Sequence, residues 1–568
     1  MYPEYYKKLA DVTLGRKRAD LVFKNAKIVD VFTNEIVESS VAISDGMIIG
    51  VSHHYEGIEE VDLKGKYIAP GLIDAHLHLE STMVSPGELV FKAALNGTTT
   101  FIADPHEAAN VSGADGIRFI MEQTENSPAN VFLMMPSCVP ATDIDDNGCL
   151  FSANDMYPFV GDPRVLGLGE VMDSVSVLEG KRSMFAKLNL FKHQVIDGHA
   201  PYLTNRQLSA YTLAGINTDH EATSFEYALE EVRRGIHVHI REGSAAHNLD
   251  AIVSGIVRTK INPTHFSFCT DDKHIDDILR EGHISYNVRR AIELGLDPFA
   301  AIEMATINTA RLYGLKRLGA IAPGYQADLI VFDSFENFKP SAVYHKGVLI
   351  RESDQKPLPP CRGPLKHTVH LDTLDSGKFV LPIRRNMTHV ICMDAKQITT
   401  RDELVHFDET ENFVPHDGYL KVAAVERHLG TGKIGVAIAK GYGLRHGAVA
   451  SSVSHDSHNI IVIGDNDEDM ALAVNEITRV QGGYTICSRG KVTATLPLPI
   501  MGLMSDWHYT EVQETLSKML EIAHNMGVPQ DIEPFIALSF LALPVIPEIR
   551  ITPRGICLVD ELGYHLQS

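Results

Sequence analysis

Two histidines one residue apart, in Asp74-Ala75-His76-Leu77-His78, are the first chemistry the 568-residue sequence offers. In a strand, residues two apart point the same way, so both imidazoles can reach one metal ion. An HxH pair alone is common and usually structural. Here other apolar runs also end in polar residues: Glu170 ends VLGLGE, His199 ends QVIDGH, His220 ends GINTDH and Asp271 ends HFSFCTD. Each alone has an ordinary reading as a satisfied histidine or a loop carboxylate. Six at the ends of successive runs are hard to read that way. Four imidazoles and two carboxylates can hold two divalent ions, with Glu170 as the bridge. A shared water would then lose a proton near neutral pH, and Asp271 could take that proton and return it to a leaving group. Nitrogen and oxygen ligands without thiolate suit Mn, Fe or Zn.

These residues need elements that bring them together. Between 70 and 315, eight apolar runs ending in polar residues recur: GLIDAHLHLE, TTTFIADPHE, NVFLMMPS, VLGLGEVMD, HQVIDGHAP, AGINTDHE, GIHVHIREG and THFSFCTDD. Segments of helical periodicity, such as SPGELVFKAALNG and TSFEYALEEVRRG, lie between most of them. Buried parallel strands read as such continuous runs. Eight strand-then-helix units over about 250 residues predict a (β/α)8 TIM-like barrel, whose strand ends converge on one face. A last helix over DPFAAIEMATINTARLYGL is expected to close it.

Residues 20–69 read as short strands with an Asp45-Gly46 hairpin turn, and the pattern returns after 318 in GAIAPGYQADLIVFD and SAVYHKGVLI. The expected organisation is an α/β chain with five parts. Residues 1–69 and 318–354 form one small β-domain split by the barrel at 70–317. A Pro-rich linker at 355–365 leads to a C-terminal α+β domain at 366–568.

Charge and composition bound the function. Lys plus Arg total 51 against 73 Asp plus Glu, a formal charge of -22. That acidity disfavours nucleic-acid phosphate or an anionic membrane as a partner and suits a small neutral or cationic substrate. The N-terminal residues carry no apolar signal segment, and no run approaches the ~20 apolar residues of a membrane span. Seven cysteines without a CxxC pair give neither a disulfide framework nor a thiolate zinc site, which makes a reducing cytoplasm the simplest location.

PGLIDAHLHLES, GLGE, GHAP, TDHE and CTDD together resemble the amidohydrolase superfamily. More closely, with DPHEAANV, MMPSCVPATD, VSHDSHN and LPLPIMGLMSD, nearly the whole chain is similar to the bacterial adenine deaminases. The resemblance implies hydrolysis of adenine to hypoxanthine and ammonia at a two-metal centre favouring Mn or Fe. Motif by motif, it implies His76, His78, Glu170, His199, His220 and Asp271 as metal ligands. Many members of the superfamily bridge their metals with a carbamylated lysine; VLGLGEVMD has none, and Glu170 takes that place. A homo-oligomer, dimer or higher, is the expected assembly.

Adenine presents ring nitrogens and an exocyclic amine, so its pocket should combine donors with a carboxyl group. Protonating a ring nitrogen makes the ring carbon more electrophilic, and Glu221 and Asp272 are placed to carry that proton or to orient a metal ligand. Glu80, Ser81, Arg241 and Glu242 also sit at predicted strand ends. His106 and Glu107 could bind a further ion or the purine edge, or make a structural hydrogen bond. In the last domain, His455 and His458 of Ser454-His455-Asp456-Ser457-His458-Asn459 could form a metal site, a loop over the barrel mouth, or an ordinary turn.

Competing readings leave traces too. A zinc deaminase of the H-x-E and P-C-x-x-C type needs a second cysteine that Pro360-Cys361-Arg362-Gly363-Pro364 lacks. The mononuclear nucleoside deaminases place a glutamate shortly after the fifth-strand histidine, where this chain has Ala200-Pro201-Tyr202-Leu203. A cyclic-amide hydrolase or a sugar deacetylase is the runner-up. A barrel turned scaffold should have lost one of the six ligands, and none is missing.

Overall fold

The computed structural model describes residues 2–244, 246–385, 387–394, 399–560 and 563–567. Its centre is a ring of eight parallel strands: β1 (Leu72–Leu77), β2 (Thr98–Ala103), β3 (Asn130–Met135), β4 (Val165–Val171), β5 (Val195–Gly198), β6 (Thr218–Asp219), β7 (His237–Arg241) and β8 (Phe266–Cys269). They pair as a run of five, β5-β4-β3-β2-β1, and a run of three, β6-β7-β8. Backbone bonds join the two runs: Asn217 N–H donates to Ile196 at 2.9 Å, and Asp271 N–H donates to His76 at 3.0 Å. Strands β1, β2, β7 and β8 are buried at every position, as apolar runs covered on both faces should be.

The expected closing helix is two helices, Pro298–Met304 and Ile307–Leu312. Thr306 (φ -143°, ψ -91°) breaks the turn between them, and the Ala305 carbonyl accepts the Ile73 N–H of β1 at 2.8 Å. That carbonyl serves the sheet edge instead of the helix, a tertiary demand that periodicity cannot report.

One sheet unites strands from both flanks of the barrel. Tyr67–Pro70 pairs antiparallel with Leu329–Phe332, so chain segments about 260 positions apart share a ladder. Glu35–Ser44 and Met47–Val51 meet at Asp45 and Gly46, whose φ values of 54° and 73° are those of a two-residue hairpin turn. The N-terminal helix Pro3–Thr13 was not foreseen from the pattern of strands; its Leu9 and Val12 pack on Val22, Ala42 and Ile49. Residues 355–362 run without regular structure across the barrel flank, where Gln123 Nε2 donates to the Pro359 carbonyl at 2.7 Å.

Beyond it stands an eight-stranded, mostly antiparallel sheet backed by the helix Asp467–Val480. Asn466 caps that helix by accepting the Asp469 N–H at 2.8 Å, and acidic residues fill its first turn. One continuous apolar core runs from the barrel strands into the C-terminal sheet, through Val449, Ile461, Tyr484 and Leu496. This packing seats the C-terminal domain on the barrel mouth.

Candidate metal centre

Six of the eight strands deliver their polar residues at the same end of the ring. His76 lies in β1 and His78 just beyond it; Glu170 lies in β4; His199 follows β5; His220 and Glu221 follow β6; Arg241 ends β7; Asp271 and Asp272 follow β8. All are buried.

Glu170 is the hub. Its Oε1 stands 3.3 Å from His78 Nε2, 3.7 Å from His76 Nε2 and 3.3 Å from His106 Nδ1. Its Oε2 stands 2.8 Å from His199 Nδ1 and 3.4 Å from His220 Nε2. Asp271 Oδ1 lies 3.0 Å from His78 Nε2 and 3.3 Å from His76 Nε2, and Oδ2 accepts from Arg241 Nη1 at 2.7 Å. Three overlapping donor triplets result: His76, Glu170 and His220; His76, His78 and Asp271; and His199, His220 and Glu221, each with its ligand atoms within 4.8 Å of one another.

Both His76 ring nitrogens, Glu170 Oε1 and His199 Nε2 are buried without a hydrogen-bond partner. Leaving such atoms unpaired is costly, and divalent cations would satisfy Glu170 Oε1, His199 Nε2 and one nitrogen of His76. His78 is prepared for this: its Nδ1 is 2.9 Å from the Asp104 carbonyl, an N–H donation that leaves the Nε2 lone pair facing the centre. The Asp104 side chain accepts the Glu170 N–H at 2.9 Å. Only glycine fits at 169, because a Cβ there would meet Asp104 Oδ2 at 2.1 Å.

The electrostatics are those of a cation site. Burial opposes ionisation of Glu170, yet the charge of His220, the nearby His106 and the hydrogen bond from His199 hold its carboxyl well below the ordinary range. Burial likewise opposes ionisation of Asp271, and the Arg241 guanidinium with His76 and His78 outweighs it.

A second group borders the first. Ser81 Oγ lies between Glu107 and Asp272 and hydrogen-bonds to both. Glu80 Oε1 accepts the Ala108 N–H at 3.0 Å; burial, with the Glu107 charge adding, pushes its carboxyl up to about 7. Glu221 takes Arg241 on both oxygens, at 2.6 and 3.1 Å. Glu242 does not join: its Oε1 is 2.9 Å from His247 Nδ1 and its Oε2 accepts the Leu249 N–H, because a residue one step past Arg241 on the strand points to the other face.

The loop 454–459 reaches this group from the C-terminal domain. His455 Nε2 is 3.6 Å from Asp272 Oδ2, Asp456 Oδ1 is 3.7 Å from His106 Nε2, and His458 Nε2 is 3.6 Å from Glu107 Oε2. The His455 ring stacks on Phe540 with centroids 4.7 Å apart. Phe540, Leu543 and Ile546 roof a cavity of about 20 Å³, room for about one water. Sequence reasoning named Asp456 with His455 and His458 as a possible metal site, and did not single out Asp104 or these three roof residues. Asp104 ends β2 and could have been found by the strand-end rule. The roof carries no local signal, since it faces the site only through domain packing.

Fold and donor set together define a metal-dependent hydrolase of the amidohydrolase class, and residues 67–350 match the amidohydrolase family while residues 397–562 match the adenine deaminase C-terminal domain. An adenine deaminase of Desulfitobacterium hafniense (strain Y51) is 55% identical over 553 residues, 97% of each chain. One of Clostridium acetobutylicum is 45% identical over 554 residues, 96% of each chain. A crystal structure of an adenine deaminase is similar at 18% identity, covering 58% of this chain and 99% of the other, with a TM-score of 0.45. The chain belongs to the adenine deaminase family. Among the described residues, no helix is long and apolar enough to cross a membrane.

Proposed function

We propose that the chain hydrolyses adenine to hypoxanthine and ammonia, with His76, His78, Glu170, His199, His220 and Asp271 holding two divalent ions, Mn or Fe by preference and Zn as a substitute. The observation that carries this is the convergence of six donors around Glu170 in a chain 55% identical to a protein named adenine deaminase.

Ions held there would act as Lewis acids and bring the pKa of a coordinated water toward neutrality. The protein's own residues supply the rest. Glu170, faced by imidazoles on both oxygens, would be the carboxylate shared by the ions. Asp271, oriented by Arg241, takes the proton of the attacking water and returns it to the departing ammonia. Glu221 has both oxygens occupied by Arg241 and holds that guanidinium in place, which favours Asp272 as the carrier of a proton for a ring nitrogen. Glu80, Ser81, His106, Glu107, His455 and His458 border the purine. The roofed cavity, about 20 Å³, is smaller than a purine, so its lining must open on substrate entry.

The test is steady-state ammonia and hypoxanthine release from adenine by metal-loaded enzyme, alongside adenosine, guanine and cyclic amides. Turnover of a cyclic amide with none of adenine would hand the site to the runner-up, a cyclic-amide hydrolase or deacetylase. A cytoplasmic location and a homo-oligomer belong to the same proposal; cell fractionation and sedimentation check them.

A further inference from the structure

Arg427 is fully buried in the C-terminal domain, and among the described residues no carboxylate lies within ion-pair distance of it. The adjacent Glu426 turns to backbone instead, accepting N–H groups of Leu429 at 2.7 Å and Thr431 at 2.8 Å. The guanidinium is spent on oxygen acceptors. Nε donates to the His458 carbonyl, Nη1 to Thr368 Oγ1 at 3.1 Å and its carbonyl at 3.3 Å, and Nη2 to the Met501 carbonyl at 2.9 Å. Its backbone N–H donates to Asn459 Oδ1 at 3.2 Å. Gly502, at φ +72°, leaves the space: a Cβ there would meet Nη1 at 2.7 Å. Burial lowers the guanidinium pKa to about 9, and the charge of the adjacent Glu426, which forms no ion pair with it, offsets only part of that penalty.

An unneutralised buried cation is a poor way to stabilise a core, since well-packed apolar groups do at least as well. Its planar fork is suited to something else, fixing several acceptors in one geometry. Two of the acceptors it fixes, the His458 carbonyl and Asn459 Oδ1, belong to the loop whose His455, Asp456 and His458 face Asp272, His106 and Glu107. We infer that Arg427 is a positioning residue, which sets this loop of the C-terminal domain against the barrel mouth and so completes the site. The kinetic consequence rests on the function proposed above; the placement of the loop does not.

The experiment compares wild type, Arg427→Met and Arg427→Lys, all metal-loaded. Hydrogen exchange of the 454–459 amides reads placement, and adenine turnover with metal content reads the consequence. In Arg427→Met, loop amides should exchange at least tenfold faster while barrel strands and metal content stay as in wild type. Its kcat/KM should fall on the order of 10²-fold, the usual cost of misplacing groups by about 1 Å. Lysine, a cation without the fork, should recover about tenfold of that loss. Unchanged loop exchange in Arg427→Met overturns the inference, as does a kcat/KM within threefold of wild type, or a lysine variant no better than methionine. If Arg427→Met does not fold, Gly502→Ala displaces the same guanidinium; faster loop exchange supports the inference and unchanged exchange overturns it. A wild type inactive on adenine would instead sink the proposed function, with the exchange result still standing by itself.

Discussion

His458 Nε2 stands 3.6 Å from Glu107 Oε2, across the seam between the C-terminal domain and the barrel. The other ring nitrogen, Nδ1, accepts the Ser454 N–H at 3.2 Å, so the neutral ring carries its proton on Nε2. Burial holds the imidazole well below its ordinary pKa and therefore neutral. His458 Nε2 thus points its proton toward Glu107 at a distance longer than a hydrogen bond. His458→Phe keeps the ring and removes the donor. It should lower kcat/KM on adenine by up to about tenfold, the ~0.5–1.5 kcal/mol of an ordinary polar contact, with metal content unchanged by elemental analysis. A loss of metal in step with the rate would make it a ligand.

Metal removal tests the centre itself. About two divalent ions per chain are expected after gentle purification, and chelation should abolish turnover. Re-addition of Mn or Fe should restore more activity than Zn. A metal-free preparation with full activity would end the account.

Glu170→Gln replaces the shared carboxylate with an amide of equal size. Loss of one ion or of most of the rate is expected, because a neutral amide bridges poorly. The melting midpoint of the barrel should change little, since Glu170 sits at the mouth. Full occupancy with wild-type turnover would remove the bridging role.

Gly169→Ala probes the same carboxylate from behind. The new Cβ would meet Asp104 Oδ2 at 2.1 Å and drive it off the Glu170 N–H. Overpacking of this kind costs typically ~1–3 kcal/mol. Weaker metal retention on dialysis should accompany the loss of stability, and wild-type retention would show Asp104 to be dispensable.

Asp271→Asn should depress kcat by about 10²–10⁴-fold, the worth of a positioned acid–base group. Adenine binding, measured directly on the same variant, should suffer less. Near-normal kcat would remove the proton shuttle.

The barrel was legible because its strands are buried on both faces, which writes them as uninterrupted apolar runs such as VLGLGEV and HVHIR. Strand ends converge in any such ring, so His76, His78, Glu170, His199, His220 and Asp271 could be grouped from position alone. The two-residue turn at Asp45-Gly46 was equally local. Other features depend on contacts between distant parts of the chain. The break at Thr306 follows from the Ala305 carbonyl serving β1. Glu221 differs from Asp272 because Arg241 reaches one and Ser81 the other. His455 and His458 face the mouth because an apolar core joins two domains, and Arg427 holds their loop from behind. Periodicity records which side of an element is buried; it carries no record of what that side is buried against, and the position of loop 454–459 over the mouth depends on that.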